Sequence, residues 1–264
     1  MRDFVLHFEL QSCRELDNFA LLANQAYNFG DKNGWFNDFR GGLFGFYSRI
    51  ETIARHYLAV HSWVPVPRLH DAEYQLSAIL FNMDSAIECF VFALNALGNS
   101  VFSSEFRDIA EPAALRRISP SDILDSKLPL FSAYSRHFPK LQSLWTANTD
   151  LLQIIRDCHN VSKHRSTIFT GGKCQTDAPP GFYEALGIQG NPDAQWPFWP
   201  MEEIILTRNA KVPVIQRVPT PVAEQVVLED MAERFVDFVN RIAKLSLDDA
   251  KCSFKLPVPQ WPSS

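Results

Sequence analysis

The chain has 264 residues, of which 46% are hydrophobic and 21 are phenylalanine, and it carries a net charge of −5 at pH 7. So much apolar surface excludes a disordered chain and is enough to fill a large core. The acidic balance, with a pI of about 5.8, excludes a protein that coats nucleic acid with a generally basic surface, so any phosphate-binding function must sit on a local patch.

Cys13, Cys89, Cys158, Cys174 and Cys252 are odd in number and form no C-x-x-C. This predicts reduced thiols in a cytoplasmic setting. Phe4, Leu6, Phe8 and Leu10 alternate as a strand with one buried face does. Acidic residues and a histidine interrupt this apolar run, so no signal peptide is expected. Ser12 opens S-C-R-E, a capping-box pattern, and a helix through about Asn28 should follow. Gly30, Gly34 and the pair Gly41-Gly42 predict a loop. A helix from about Leu43 to Trp63 comes next, ended by Pro65 and Pro67.

Asp71–Leu97 carries the clearest helical pattern. Leu76, Leu80, Met83, Ile87, Phe90, Leu94 and Leu97 recur by alternating fours and threes, which is a helix-packing seam, and Gly98 is a natural C-terminal cap. Asn82, Asp84, Glu88 and Asn95 interrupt the apolar stretch and argue against a membrane span. Ser77, Asp84, Glu88 and Asn95 form a polar strip beside the seam, with Phe81 and Phe92 beyond it. Residues 99–127 read as a mobile or loosely helical connection. Helix resumes near Pro129 and Pro139 and runs to Arg165, with a break near Asn148-Thr149.

Arg165–Thr170 is expected as a short strand. Gly171–Pro200 reads as an ordered surface loop held by Phe182, Tyr183, Trp196, Phe198 and Trp199. Glu203–Thr207 and Val212–Val218 read as a hairpin. Pro221 should open a last helix to about Leu247, with Val226, Val227, Met231, Phe235, Phe238, Val239 and Ile242 inside. Pro257, Pro259 and Pro262 mark an extended tail. The expected fold is mainly α: a single domain over 1–264, built as an antiparallel helical bundle with a small β-sheet or hairpin, an N-terminal strand, and an insertion at about 166–220 before the last helix.

Candidate chemistry concentrates in Leu151–Arg165. Arg156, His159, Asn160, Lys163 and His164 fall within an arc of about 140° on a helix. Leu151, Ile154, Ile155, Cys158 and Val161 lie opposite and should be buried. Two imidazoles near neutral pH can supply the general base and the general acid that RNA strand cleavage needs when the 2′-hydroxyl attacks its own phosphate. Arg156 and Lys163 can bind the phosphate, and Asn160 can orient a group. The plainer alternative is a solvated helix face.

His159-Asn160-Val161-Ser162-Lys163-His164 resembles the R-N-x-x-x-H signature of the HEPN superfamily, whose helical bundles carry the motif along a late helix. The resemblance covers about residues 40–247. It implies an RNA-directed protein, a metal-independent endoribonuclease of the kind found in toxin–antitoxin, abortive-infection and CRISPR systems, acting as a homodimer in which two motifs face each other. His164 and Asn160 match the signature, whereas His159 occupies its arginine position. Arg156 lies one turn earlier and can share that face.

Asp84 and Glu88 can receive Arg156 or a histidine of this helix and hold it in place. They lack an E-x-x-H or H-x-x-x-H companion, so a di-metal site is not expected. Zinc is not expected on Cys158, His159, His164 and Cys174 either, because Cys158 points away from the two histidines. Gly171-Gly172-Lys173 lacks the rest of a phosphate-binding loop, and no cofactor is expected. Two further readings remain open: a non-catalytic module that binds a protein partner, and a small-ligand-binding helical protein with its pocket under Trp196 and Phe198.

Overall fold

A seam of large buried apolar side chains runs along one long helix. The computed structural model describes residues 35–61, 69–109, 117–164, 169–174, 201–207 and 225–253, with isolated positions besides. Its helices are α1 (Trp35–His61), α2 (Leu69–Val101), α3 (Ser121–Leu124), α4 (Phe131–His137), α5 (Pro139–Ala147), α6 (Thr149–His164) and α7 (Leu228–Ser253). Three strands, β1 (Phe169–Cys174), β2 (Met201–Thr207) and β3 (Gln225–Val227), form an antiparallel sheet in the order β1-β2-β3. The chain is therefore mainly α with a minor β part. The described residues fall into two compact units. One is drawn from Met1–Ile50, Ser85–Leu152 and Arg234–Ser264, the other from Glu51–Asp84 and Gln153–Glu233.

In the first unit, all the seam residues of α2 from Ile87 to Leu97 are buried. Against them packs the N-terminal part of α1, with Phe46 and Phe90 in ring contact at 5.2 Å. Gly42 makes this approach close: a Cβ there would stand 2.8 Å from the Cys89 carbonyl oxygen and 2.9 Å from Ala93. Gly41-Gly42 thus lie inside a helix and not in the expected loop, and what Gly42 supplies is closeness and not a turn. Gly98 is likewise no cap. The helix runs on to Val101, and the Phe106 ring occupies the place where a Cβ of residue 98 would be.

The weakly patterned connection after α2 is pinned by Asn95. Its buried amide donates to the Arg107 carbonyl oxygen at 2.9 Å and accepts from the Arg107 N–H at 3.2 Å. Asn95 therefore serves this turn. Helix α5 begins with Pro139, which suits a first-turn position that needs no N–H. Its free amide end is capped from α7, where the buried Asp249 carboxylate accepts the Leu141 N–H at 2.9 Å. Trp145 and Phe238, both fully buried, meet edge to face at 5.1 Å.

In the second unit, the expected first arm of the hairpin, Glu203–Thr207, lies within β2 of the sheet. β2 is hydrogen-bonded to β1 on one side and β3 on the other, and the proposed second arm, 212–218, lies outside the described residues. Gly171 and Gly172 belong to β1, beside an irregularity in register that glycine accommodates. Val226 and Val227 are in β3 and not in the last helix, which starts at Leu228 and continues to Ser253. β-branched side chains favour the strand, and Glu229 and Asp230 then fall in the helix's first turn, where its dipole favours acids. The expected N-terminal strand, the expected helix after it apart from Asn18, the aromatic residues 182–199 and the proline tail also lie outside the described residues.

Candidate functional site

The amphipathic pattern of α6 places its residues as the opposed arcs require. Leu151, Ile155 and Cys158 are fully buried, and Ile154 and Val161 nearly so. On the other face Arg156, His159 and Asn160 are half-buried and Lys163 is exposed. His164 is the last residue of the helix, and its side chain lies outside the described set.

Within the second unit, α6 packs on the N-terminal part of α2 through two polar contacts. The hydroxyls of Ser77 and Ser162 are 2.5 Å apart. His159 Nδ1 lies 2.7 Å from Asp84 Oδ2, with the two side chains only 12% and 16% exposed. Because Ser77 meets Ser162 and Asp84 meets His159, the two helices run antiparallel, and the Lys163–His164 end of α6 is directed toward the start of α2. A carboxylate only accepts hydrogen bonds, so Nδ1 donates, and in the neutral imidazole Nε2 then carries the lone pair. Asp84 therefore fixes both the rotamer and the tautomer of His159. Phe81 adds a ring contact, edge-on at 5.5 Å and 76°.

Of the candidate residues, His159 and Asp84 are joined directly, and Asn160 and Lys163 share the face of α6 that carries His159. Glu88, one turn further along α2, is exposed and belongs to the first unit. Among the described residues, no three His, Cys, Asp or Glu side chains come together as a ligand set for a metal ion. The sequence marks Ser77 and Phe81 only as a member of the polar strip of α2 and as its apolar border, and Ser162 on α6 is not marked at all.

α2 is the one helix among the described residues with the length and apolarity to cross a membrane. Its seam residues face the protein interior. No family model, curated protein or solved structure matches the chain.

Proposed function

We propose that the chain is a HEPN-like, RNA-directed protein that cleaves RNA without a metal ion, as a homodimer. The observation carrying this reading is the His159–Asp84 pair: a histidine at the motif's arginine position, held at Nδ1 by a carboxylate from the neighbouring helix. In this reading His159 Nε2 takes the proton from a 2′-hydroxyl as that oxygen attacks the adjacent phosphorus. The P–O5′ bond breaks, and His164 gives a proton to the departing 5′-oxygen. This role for His164 follows from its place in the motif. The products carry a 2′,3′-cyclic phosphate and a 5′-hydroxyl. Asp84 stabilises the imidazolium that forms on His159. Lys163 and Arg156 bind the phosphate, and Asn160 orients it.

The test is cleavage of mixed RNA in excess chelator by wild type, His159→Ala, His164→Ala and His159→Arg. Both alanine variants should be slower by about a hundredfold or more. His159→Arg should be slower than wild type, since arginine is no base at neutral pH. Loss of wild-type cleavage in chelator, or equal rates in all four proteins, overturns the reading.

A second reading, a non-catalytic interaction module, is favoured by the low exposure of His159 beneath Phe81. On that reading His159 is a structural clasp. Its replacement would lower stability, and RNA would remain intact with every variant.

A further inference from the structure

The five exposed large hydrophobic side chains among the described residues include Tyr74, at 64%, and Phe81, at 41%. At 100° per residue, Tyr74, Ser77, Phe81 and Asp84 fall within an arc of about 80° on α2. Ser77 and Asp84 are the two residues that fasten this helix to α6. Phe81 therefore stands beside the line where the two helices meet, against His159, and Tyr74 lies about 60–80° round α2 from Ser77 and Asp84, against His56 of α1.

Each ring is braced in the same way. The His56 ring lies 5.9 Å from Tyr74 at 76°, and His56 Nδ1 is held at 2.5 Å by Gln75 Oε1. The His159 ring lies 5.5 Å from Phe81 at 76°, and its Nδ1 is held by Asp84. Two exposed aromatics, each oriented by a histidine that is itself anchored, are pre-ordered without being enclosed. A tyrosine and a phenylalanine exposed on one arc of a helix are the kind of feature a recognition surface presents. Seven residues of helix separate them by about 10.5 Å. That is about three times the 3.4 Å step between stacked bases, so the rings suit splayed nucleotides and not a continuous stack.

We propose that Tyr74 and Phe81 are base-stacking residues that select unpaired RNA for the His159 site. The proposal rests on the RNA-directed reading above and gives it a substrate preference. One aromatic stacks a base near the His164 end of α6, and the other stacks a base beside His159. Lys163 on the adjoining helix meets the intervening phosphate. Asp84, between the two helices, is already committed to His159. A duplex, with its bases paired, offers no free base face to either ring.

The test is equilibrium binding of a homo-uridine oligomer, an abasic oligomer of the same length and a blunt RNA duplex, in chelator at fixed salt. The proteins are wild type, Tyr74→Ala, Phe81→Leu and the double variant. Phe81→Leu keeps apolar bulk against His159, and Tyr74→Ala alters an exposed position, so at least one single variant should keep the wild-type melting temperature. Wild type should prefer the uridine oligomer to both other ligands. Each single variant that melts as wild type should weaken uridine binding by about tenfold and leave abasic binding unchanged. If wild type binds the uridine oligomer and the variants bind it equally well, stacking is overturned and RNA recognition stands. If wild type binds none of the three ligands, both fall.

Discussion

Asp84 holds the one nitrogen of His159 that catalysis would not use. Asp84→Asn keeps an oxygen able to accept from Nδ1 but removes the charge that stabilises an imidazolium. RNA cleavage should fall by about a hundredfold with little change in KM, and a clasp with no catalytic part would instead shift only the melting temperature. Asn95 is bound to both backbone groups of Arg107. Asn95→Leu strips both partners at once and should lower stability by about 2–4 kcal/mol in urea unfolding. Burial raises the Asp122 carboxyl above the ordinary carboxylate range, against smaller opposing effects of the Ser119 N–H and Arg107. A raised folded-state pKa means that ionisation opposes folding. Its contribution is fully present below the ordinary carboxylate value and is lost as pH rises through the raised one. Measured against Asp122→Asn, wild type should therefore gain relative stability as pH is lowered from 7 toward 4.

Helix α1 tests the close-packing account by neighbouring glycines. Gly42→Ala places a Cβ against the backbone of α2 and should destabilise by about 1–3 kcal/mol. Gly41→Ala meets nothing within 4 Å and should stabilise by about 0.5–1 kcal/mol, as alanine does in a helix interior. Equal effects in thermal or urea unfolding would refute the assignment. These glycines also show where the sequence stops being legible. A glycine pair reads the same locally whether it opens a loop or admits a neighbouring helix. The seam of α2 and the opposed arcs of α6 were legible because a repeat every three or four residues is a local signal. The Asp249 cap on α5 spans 108 residues and has no local trace. The switch at Val227 from strand to helix depends on β2 as a partner. The polar strip of α2 marked Asp84 as a residue in need of a partner. Choosing His159 over Arg156 required knowing how α6 lies along α2.

For the molecule as a whole, the candidate site sits in the unit drawn from Glu51–Asp84 and Gln153–Glu233. In this unit one helix carries Arg156, His159, Lys163 and His164 on a chain of net charge −5. A homodimer that brings two such faces together should sediment at twice 30.1 kDa, and a monomeric mass at the concentration where cleavage is measured would remove that part of the proposal. The central claim is that this face performs RNA cleavage through imidazoles. It is tested most directly by end-group analysis of RNA incubated with wild type in excess chelator, beside His159→Ala. The account predicts products ending in 2′,3′-cyclic phosphate and 5′-hydroxyl, formed by wild type and reduced about a hundredfold in the variant. Intact RNA, products bearing 5′-phosphate, or the same yield from both proteins would contradict it.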